Sequence, residues 1–414
     1  MDNIFHTDVL IIGGGAAGVA AAVAASRSGL NVSLLERNAY LGGKATAAEV
    51  GTVCGLYEHN IAGKTEYAVK GFAKEFAEIL QKKSGTVPLY NNEGLHYLPY
   101  NTDAFKDICT RMLSENKVHV LLNAELSHVV LNNNQIESVS VTSNKTVMYV
   151  KVKAVIDCSG DAAISRSANL TTLKSDTYQA AAQVFYLQNI AEDNEQRLGM
   201  ILMKTLRKAI DENKLPGYSD RVYVVPGSLK NNCAGLKAGI PLDVTDEPGN
   251  MDALRACAVG FINELIGFLV KEVPAFRNAS LLRIAPEVGT RVGARCAGKY
   301  ILTANDVLNC RKFVDAIANG TWPIEEWEQH KRVKMRFLKP GDHYQVPAWC
   351  LQSNQIKNLY MAGRNISATN EAIASARVMG TCLQTGYAAG MMASGMLKQT
   401  PEPVVINSIQ NQQL

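Results

Sequence analysis

The first 36 residues alternate between apolar runs and small residues in a pattern that predicts a strand, a helix and a second strand. Residues 8–12 are continuously apolar after the leading acid, as expected of a parallel strand buried on both faces. Three consecutive glycines then turn the chain, and residues 16–28 form an alanine-rich helix that ends before Gly29. Residues 31–36 predict the next strand, so the chain begins with a βαβ unit.

The pattern of hydrophobic positions changes several times along the rest of the chain. An amphipathic helix is predicted over residues 62–83, and short β-rich runs over 118–157 predict an antiparallel meander that returns to the first sheet. Residues 173–284 alternate strand-like and long helical segments, which indicates an inserted α+β domain. The predicted fold class is therefore α/β, with a β-meander insertion and an inserted domain. The predicted boundaries are 1–172 and 285–400 for the two parts of the first domain, 173–284 for the inserted domain, and 401–414 for a frayed tail.

Composition and charge narrow the classes of partner. The chain has 414 residues, of which 47% are hydrophobic and 19% are charged, as in ordinary folded proteins. Its net charge is +4 over the whole length. A charge this small gives no electrostatic reason to expect a nucleic-acid partner or an anionic membrane surface.

The nine cysteines are informative through their spacing. The two that lie closest in sequence are fourteen residues apart, so no CxxC pair exists. This spacing argues against a zinc knuckle, an iron–sulfur cluster and a dithiol redox centre, and we predict no metal site. An odd number of cysteines in apolar stretches favours reduced thiols and a cytoplasmic protein.

Two features raise the question of a membrane segment. Residues 9–25 carry no charge, but Asp2 and Asp8 precede them and no basic residue does, the reverse of a signal peptide. Gly386 and Gly390 form a GxxxG pattern near the C-terminus, but no 20-residue apolar span surrounds it. We therefore predict no membrane partner, and close packing of the last helix against its neighbour.

The glycines after the first strand carry the strongest functional signal. Gly13, Gly15 and Gly18 form a GxGxxG motif between a predicted strand and a predicted helix, and Glu36 ends the second strand. The glycines allow a tight turn, close approach of a pyrophosphate and close packing of the helix, while an acid at this distance can bind ribose hydroxyls. Only one such motif is present. Gly42 and Gly43 follow, and a second glycine pair suits a cofactor larger than NAD.

From this point the residues resemble a known family. Residues 8–46 look like the start of FAD-dependent oxidoreductases of the glutathione-reductase-like superfamily, and CSGDA (158–162) is similar to its second FAD motif. Residues 358–390 closely resemble the stretch that closes the flavin site in the group called FAD-dependent oxidoreductase. That group is distantly similar to fumarate reductase and succinate dehydrogenase flavoproteins, and segments 291–307 and 344–351 resemble it as well. The resemblance implies a Rossmann-like FAD-binding domain and an inserted substrate or cap domain.

The resemblance also implies which residues hold FAD. The glycine motif would approach the pyrophosphate, Glu36 the ribose, and the start of the last helix the pyrimidine edge of the flavin. The implied FAD-binding residues are Gly13, Gly15, Ala16, Ala17, Gly18, Glu36, Arg37, Gly42, Gly43, Lys44, Ala45, Ser159, Gly160, Asp161, Gly363, Arg364, Met379, Gly380 and Thr381. No local histidine motif predicts covalent attachment, so we expect FAD to bind non-covalently.

The candidate catalytic residues fall into three groups. Arg291 and Arg295 occupy a segment where the family usually has an Arg-Glu-Ser/Thr-Arg-Arg run, but the acid and one arginine are missing here. Either arginine could bind a substrate carboxylate, or both could be structural and pair with Glu287 or a helix end.

The other two groups could transfer protons. Cys54, Tyr57 and His59 follow the second glycine pair, and His343 and Tyr344 precede the family-like segment 344–351. Thiol, phenol and imidazole groups can each donate or accept a proton. The alternative is that these are ordinary structural side chains.

The sequence thus predicts an FAD-dependent dehydrogenase or reductase that transfers a hydride between a small, possibly anionic, metabolite and flavin N5. A flavin monooxygenase is one alternative. A non-catalytic or tRNA-modification-type FAD-binding protein is another. The expected partners are a small-molecule substrate and an unidentified electron donor or acceptor, and the protein could form a homo-oligomer.

Overall fold

The computed structural model describes residues 4–61, 63–143, 145–175, 178–329 and 333–414. Within these residues there are twenty strands, numbered in chain order: β1 Ile4–Ile12, β2 Val32–Leu35, β3 Thr52–Cys54, β4 Leu89–Tyr90, β5 His96–Pro99, β6 His119–Leu121, β7 Ala124–Asn132, β8 Gln135–Ser143, β9 Thr146–Asp157, β10 Thr172–Leu173, β11 Ala182–Gln188, β12 Val222–Val224, β13 Ala234–Gly239, β14 Ser280–Ile284, β15 Arg295–Cys296, β16 Ala316–Gly320, β17 Ile324–Trp327, β18 Val333–Arg336, β19 Tyr344–Pro347 and β20 Leu359–Met361.

The same described residues form eleven α-helices: α1 Ala16–Arg27, α2 Lys44–Ala47, α3 Gly71–Ser84, α4 Thr102–Glu115, α5 Ala163–Ser167, α6 Glu195–Asp211, α7 Asn250–Glu272, α8 Ala304–Leu308, α9 Asn370–Ala376, α10 Met379–Leu397 and α11 Glu402–Gln413. Short 3-10 turns lie at Gly217–Arg221, Pro274–Phe276, Ala348–Leu351 and Gly363–Asn365.

The main sheet confirms the predicted βαβ unit. Its strand order is β6-β2-β1-β9-β8-β7, and β20 pairs with β9 as well. β1 runs parallel to β2 and β9, and β20 runs parallel to β9, whereas β7, β8 and β9 are antiparallel neighbours. The carboxyl ends of β1, β2, β9 and β20 therefore meet at one edge of the sheet, where α/β proteins bind their ligands.

Helix α10 covers one face of this sheet together with α1, and the two helices approach closely. An ideal Cβ at Gly386 would lie 2.1 Å from the Ala17 carbonyl oxygen, and one at Gly390 would lie 2.4 Å from that of Ala21. The GxxxG pattern of α10 therefore serves close packing inside the protein, as the sequence predicted.

The segment predicted to be inserted builds its own sheet and core. Its strand order is β12-β13-β11-β14, with all pairs antiparallel, and α6 and α7 pack on it. One described helix, α7, is long and apolar enough to cross a membrane by length and composition alone. One face of α7 instead packs into this second core through Leu254, Phe261, Ile262 and Leu265.

Two sequence expectations about elements need correction. The helix expected over 62–83 begins only at Gly71, whose φ is +54°, and residue 62 lies outside the described residues. The tail expected to fray forms α11, because Val405, Ile406 and Ile409 recur at helical spacing and are buried in the main core. Val405 packs onto Gly395 of α10, where an added Cβ would lie 2.4 Å from its Cγ2.

Candidate functional site

A cavity of about 910 Å³ runs from the carboxyl edge of the main sheet to the second sheet. Its first end is formed by the turn after β1 and by the ends of β2 and β9. Its second end is formed by β13 and β17 and by the residues between α9 and α10. The cavity therefore joins the carboxyl edge of a parallel sheet, where α/β proteins bind ligands, to a second sheet with its own core.

The turn between β1 and α1 depends on residues without side chains. Gly13 has φ of +99°, and a Cβ there would lie 2.7 Å from the Cys158 carbonyl oxygen. A Cβ at Gly18 would lie only 1.8 Å from the Gly13 carbonyl oxygen, so α1 can pack this closely on the turn only with glycine. Gly15 caps α1 without a side-chain hydrogen bond, which leaves the first N–H groups of the helix able to bind an anion.

Glu36 lies at the end of β2 and is only 5% exposed. One carboxylate oxygen accepts a hydrogen bond from the Gly14 N–H at 2.8 Å, and the other accepts one from the Asn38 N–H at 2.9 Å. Burial raises the pKa of Glu36, and these two hydrogen bonds oppose that rise. Glu36 thus fixes the glycine turn and still presents its carboxylate to the cavity.

The second glycine pair lies against the first glycine motif. The Gly42 N–H donates to the Gly14 carbonyl at 2.8 Å, and a Cβ at Gly43 would lie 2.9 Å from the Gly15 Cα. Both residues have positive φ, +106° and +53°. This geometry forms a narrow cradle, with bare backbone on both sides, at the edge of the cavity.

A cluster of charges closes over this cradle. Glu287 accepts hydrogen bonds from Lys44 Nζ at 2.7 Å, Arg37 Nη2 at 3.0 Å and Asn38 Nδ2 at 3.0 Å. Burial alone would raise the pKa of Glu287, but the charges of Lys44 and Arg37 outweigh it and lower the pKa to about 2. Burial lowers the pKa of Lys44, and the negative charge of Glu287 opposes that lowering. The segment after β14 is thereby held to the first domain.

The CSGDA segment (residues 158–162) follows β9 and completes the first end of the cavity. Gly160 has φ of +77°, and its N–H donates to Asn365 Oδ1 at 2.7 Å. Arg364 covers this glycine, since a Cβ there would lie 2.5 Å from Arg364 Nη2. Asp157 is fully buried and accepts hydrogen bonds from the N–H groups of Ser159 and Ile164. These contacts hold Ser159, Gly160 and Arg364 at the cavity wall.

The start of α10 forms another part of the wall. Val378 caps α10 without a side-chain hydrogen bond, and Met379 lines the cavity. Gly380 allows the β3 segment to pack on the helix, because a Cβ there would lie 2.2 Å from the Gly55 carbonyl oxygen. The Thr381 hydroxyl is buried and has no partner among the described residues. A second uncapped N-terminus of a long helix thus faces the cavity.

Comparison with known proteins assigns the chain to a family. Residues 8–413 match the family described as FAD dependent oxidoreductase. This chain belongs to the FAD dependent oxidoreductase family. It is an enzyme, and FAD is its cofactor. The family therefore argues against the non-catalytic alternative. No curated protein matches the chain by sequence.

Solved structures share the fold at low identity. A geranylgeranyl bacteriochlorophyll reductase-like protein from Thermoplasma acidophilum has a TM-score of 0.51 and 13% identity, over 99% of this chain and 83% of that one. OxyS anhydrotetracycline hydroxylase from Streptomyces rimosus has a TM-score of 0.50 and 11% identity, over 98% of this chain and 65% of that one. BexE, studied for oxidation during BE-7585A biosynthesis, has a TM-score of 0.51 and 12% identity, over 98% of this chain and 65% of that one.

The residues of this oxidoreductase fit FAD. The cavity has two cradles that a Cβ would fill, at Gly13–Gly18 and at Gly42–Gly43, and two uncapped helix N-termini. Sixteen of the implied FAD-binding residues line it: Gly13, Gly15, Ala16, Ala17, Glu36, Arg37, Gly42, Gly43, Lys44, Ala45, Ser159, Gly160, Asp161, Gly363, Arg364 and Met379. Gly18, Gly380 and Thr381 lie behind the wall and shape it. Their direct contact with FAD stays a prediction.

Among the candidate catalytic residues, the structure brings Arg291 and Cys54 to the cavity. The Arg291 guanidinium donates to the Ala180 carbonyl and lies 4.2 Å from the ring centroid of Trp327. Burial, together with the charge of Arg377, lowers its pKa to about 9. Burial raises the pKa of Cys54 to about 12, so its thiol is neutral at physiological pH.

Arg295 does not line the cavity although it is four residues from Arg291. It is 1% exposed, and its Nε donates to the Ala368 carbonyl at 2.8 Å. Its Nη1 donates to Ser175 Oγ and to the Gly293 carbonyl, each at 3.1 Å. Arg295 thus joins three chain segments and matches the structural alternative, although its partners are two carbonyls and a hydroxyl and not Glu287.

The four remaining proton-transfer candidates also lie outside the cavity lining. The Tyr344 hydroxyl hydrogen-bonds Ser375 Oγ at 2.8 Å in the core, and His59 Nε2 lies 2.7 Å from the Glu93 carbonyl oxygen. Tyr57 is 3% exposed and packs on Tyr67 with ring centroids 4.9 Å apart. Burial lowers the pKa of His343 and thus favours its neutral form. The structure therefore does not place Tyr57, His59, His343 or Tyr344 where they could contact a ligand in the cavity.

Sequence reasoning missed the charged residues at the second end of the cavity. Lys237, Glu325 and Arg377 line it beside Arg291. Glu325 Oε2 accepts a hydrogen bond from Trp322 Nε1 at 3.1 Å and lies 3.5 Å from Arg377 Nη2. Burial would raise the pKa of Glu325, but Arg377 and Arg291 outweigh it and lower the pKa. One carboxylate therefore faces three cationic side chains in a part of the cavity walled by tryptophans.

A sequence signal existed for two of these residues. Lys237 is a single charge within the apolar run 233–240, and Arg377 directly precedes the helix start that resembles the family's flavin-closing stretch. A lone charge in an apolar strand is a reason to expect a buried site. Glu325 has no comparable signal.

Proposed function

We propose that this enzyme transfers a hydride between a small anionic metabolite and flavin N5. When bound, FAD would supply the acceptor or donor of the two electrons. The observation that carries the proposal is the group of positive charges at the second end of the cavity, where Lys237, Arg291 and Arg377 lie around the carboxylate of Glu325. An anionic substrate would compensate charges that are costly to bury unpaired.

Arg291 is the residue best placed to bind a carboxylate. Its contacts to the Ala180 carbonyl and the Trp327 ring hold the guanidinium in one orientation. A planar guanidinium fixed in this way can form a bidentate pair with a carboxylate, which adds geometric specificity. Arg377 is held by Glu325 instead and would act mainly through its charge.

The walls of this part of the cavity favour exclusion of water. Trp322, Trp327, Tyr97, Val225 and Val378 contribute apolar surface around the cations. Charge interactions strengthen when water is excluded, so a substrate anion would be bound more tightly here than on an open surface. The apolar surface also suits a substrate with a hydrocarbon body next to its charged group.

The test is anaerobic bleaching of the bound flavin across a metabolite library that contains anionic, neutral and cationic compounds. We expect bleaching with one or more carboxylates, and an Arg291→Ala variant that retains FAD but needs at least about tenfold more substrate. Arg255→Ala, on an exposed position of α7, serves as the matched control. Bleaching only by neutral or cationic compounds, or equal behaviour of the Arg291 variant, would overturn the proposal.

The monooxygenase alternative has a separate readout. Such an enzyme would consume oxygen and NAD(P)H in equal amounts, which an oxygen electrode measures directly. Substrate-driven bleaching without NAD(P)H supports the dehydrogenase or reductase instead. The electron acceptor, a homo-oligomeric state and a cytoplasmic location stay predictions from the sequence.

A further inference from the structure

Lys237 stands apart from the other charged residues at the second end of the cavity. It lies on β13, the strand between β11 and β12 in the second sheet, and its side chain lines the cavity. Its Nζ lies 5.1 Å from the ring centroid of Trp327 and 6.0 Å from that of Tyr223. Within the described part of the chain, no hydrogen bond or ion pair to another side chain occupies this ammonium group.

Each of its nearest polar neighbours has at least one partner. Arg291 donates to the Ala180 carbonyl, while Glu325 accepts from Trp322 and pairs with Arg377. The Cys54 thiol is half-buried, and its raised pKa keeps it neutral. The ammonium group of Lys237 is therefore left to interact with a bound substrate, as is the unpaired Nε of Arg377.

The charged and titratable groups around Lys237 come from every neighbouring element. Arg291 comes from the segment after β14, Glu325 from β17, Cys54 from β3 and Arg377 from the residue after α9, while Tyr223 lies across the sheet on β12. Arg221 and Glu328 line a small second pocket with Lys237. Charges from several elements thus act on this half-buried lysine. Burial, followed by the charge of Arg291, lowers the pKa of Lys237 to about 8.

We propose that Lys237 is the catalytic residue that exchanges the substrate's proton, as general base in the oxidation direction and general acid in the reduction direction. This inference rests on the proposed hydride transfer. It assigns to Lys237 the role that the sequence offered to Tyr57, His59, His343 and Tyr344. A lysine amine can serve in this way because its neutral form is accessible once burial disfavours its charge.

A substrate R₂CH–XH, where X is oxygen or nitrogen, loses a hydride from carbon and a proton from X. The C–H bond would break with its electron pair leaving as hydride, and bound FAD in its oxidised form would supply the two-electron acceptor. The X–H bond breaks, its electron pair forms the C=X double bond, and its proton moves to the neutral Lys237 amine. In the reduction direction the ammonium of Lys237 would return the proton to X, and bound FAD in its reduced form would supply the hydride to carbon.

The first experiment measures Lys237 without any substrate. The FAD-loaded protein is acylated briefly with an amine-specific reagent at graded pH, and mass spectrometry quantifies modification of each lysine peptide. Lys357, which is exposed on the surface, serves as the internal reference. We expect half-maximal reactivity of Lys237 near pH 8 and well below that of Lys357. A midpoint equal to that of Lys357, or no modification at any pH, would overturn the inference, because a substrate could not then exchange a proton with this amine.

The second experiment uses a metabolite that bleaches the flavin of the wild-type enzyme. We expect Lys237→Met and Lys237→Arg to slow bleaching by about a hundredfold or more, since arginine keeps the charge but does not release its proton. Added primary amines should partly restore the rate of Lys237→Met, in order of their basicity. Lys230→Met, an exposed position of the same domain, is the matched control.

The outcomes separate the two proposals. If the wild-type flavin bleaches and both Lys237 variants bleach equally fast, the lysine assignment fails while the proposed function survives. If no anionic metabolite bleaches the wild-type flavin, the proposed function fails, and the acylation midpoint still decides whether Lys237 has a reactive amine. The wild-type rate with a reduced substrate should rise with pH through about 8, because only the neutral amine accepts a proton.

Discussion

Substituting Gly18 by alanine tests the glycine turn most directly. The added Cβ would lie 1.8 Å from the Gly13 carbonyl oxygen, whereas a carbon and an oxygen in contact stay roughly 3.2 Å apart. Helix α1 or the turn must therefore move by about 1.4 Å, and the atom in the way is backbone, which cannot rotate aside. The same movement displaces the N-terminus of α1 from the position in which its N–H groups can bind phosphate.

The size of the effect follows from two opposing contributions. Inserting a carbon into a packed site costs up to about 3 kcal/mol, and replacing glycine by alanine inside a helix recovers about 1 kcal/mol. We therefore expect a net destabilisation of about 2 kcal/mol. For a chain of this length that lowers Tm by only about 2 °C, so FAD affinity is the more sensitive readout. A loss of about 2 kcal/mol in binding corresponds to roughly 30-fold weaker FAD affinity.

The assay is titration of FAD into apoprotein, followed by quenching of flavin fluorescence, with unfolding by denaturant measured alongside. Gly260→Ala is the matched control, because Gly260 lies on α7 with no atom within 4 Å of an added Cβ. That variant should bind FAD normally and gain up to about 1 kcal/mol of stability. Wild-type FAD affinity in Gly18→Ala, together with unchanged stability, would refute the reasoning about this turn.

Three further predictions concern the rest of the cavity. Arg291→Lys should weaken carboxylate binding at least about tenfold in the flavin-bleaching titration with FAD content unchanged, whereas Arg295→Lys should mainly lower the unfolding temperature. The pKa of Glu287 is lowered to about 2, so its ion pairs stabilise the fold above its ordinary pKa and this stability is lost as pH falls from about 4.5 toward 2. The stability of Glu287→Gln, followed by acid unfolding, should not fall over that pH range, because its side chain does not titrate. Its neutral amide should also bind Lys44 less tightly. Gly386→Ala should lower Tm in calorimetry, because its Cβ would lie 2.1 Å from a carbonyl oxygen of α1; an unchanged Tm would show that the two helices can separate freely.

The sequence by itself determined the first end of the cavity. Gly13, Gly18, Gly42 and Gly43 mark places where the backbone must turn with positive φ or approach another backbone closely, and such requirements are local. Because the strand, the turn and the helix follow one another directly, Glu36 reaches its place through the same short stretch. A dinucleotide site could therefore be predicted from these residues, and the resemblance to a known family implied FAD.

Only the tertiary structure decided the second end of the cavity. Lys237, Glu325 and Arg377 lie on separate elements far apart in the chain, and no spacing in the sequence relates them. Arg291 and Arg295 are alike in sequence, but the first faces the cavity while the second is bonded to backbone carbonyls. Which side chain faces a cavity depends on how two domains pack. Packing brings distant residues together, and local propensity and spacing carry no record of it.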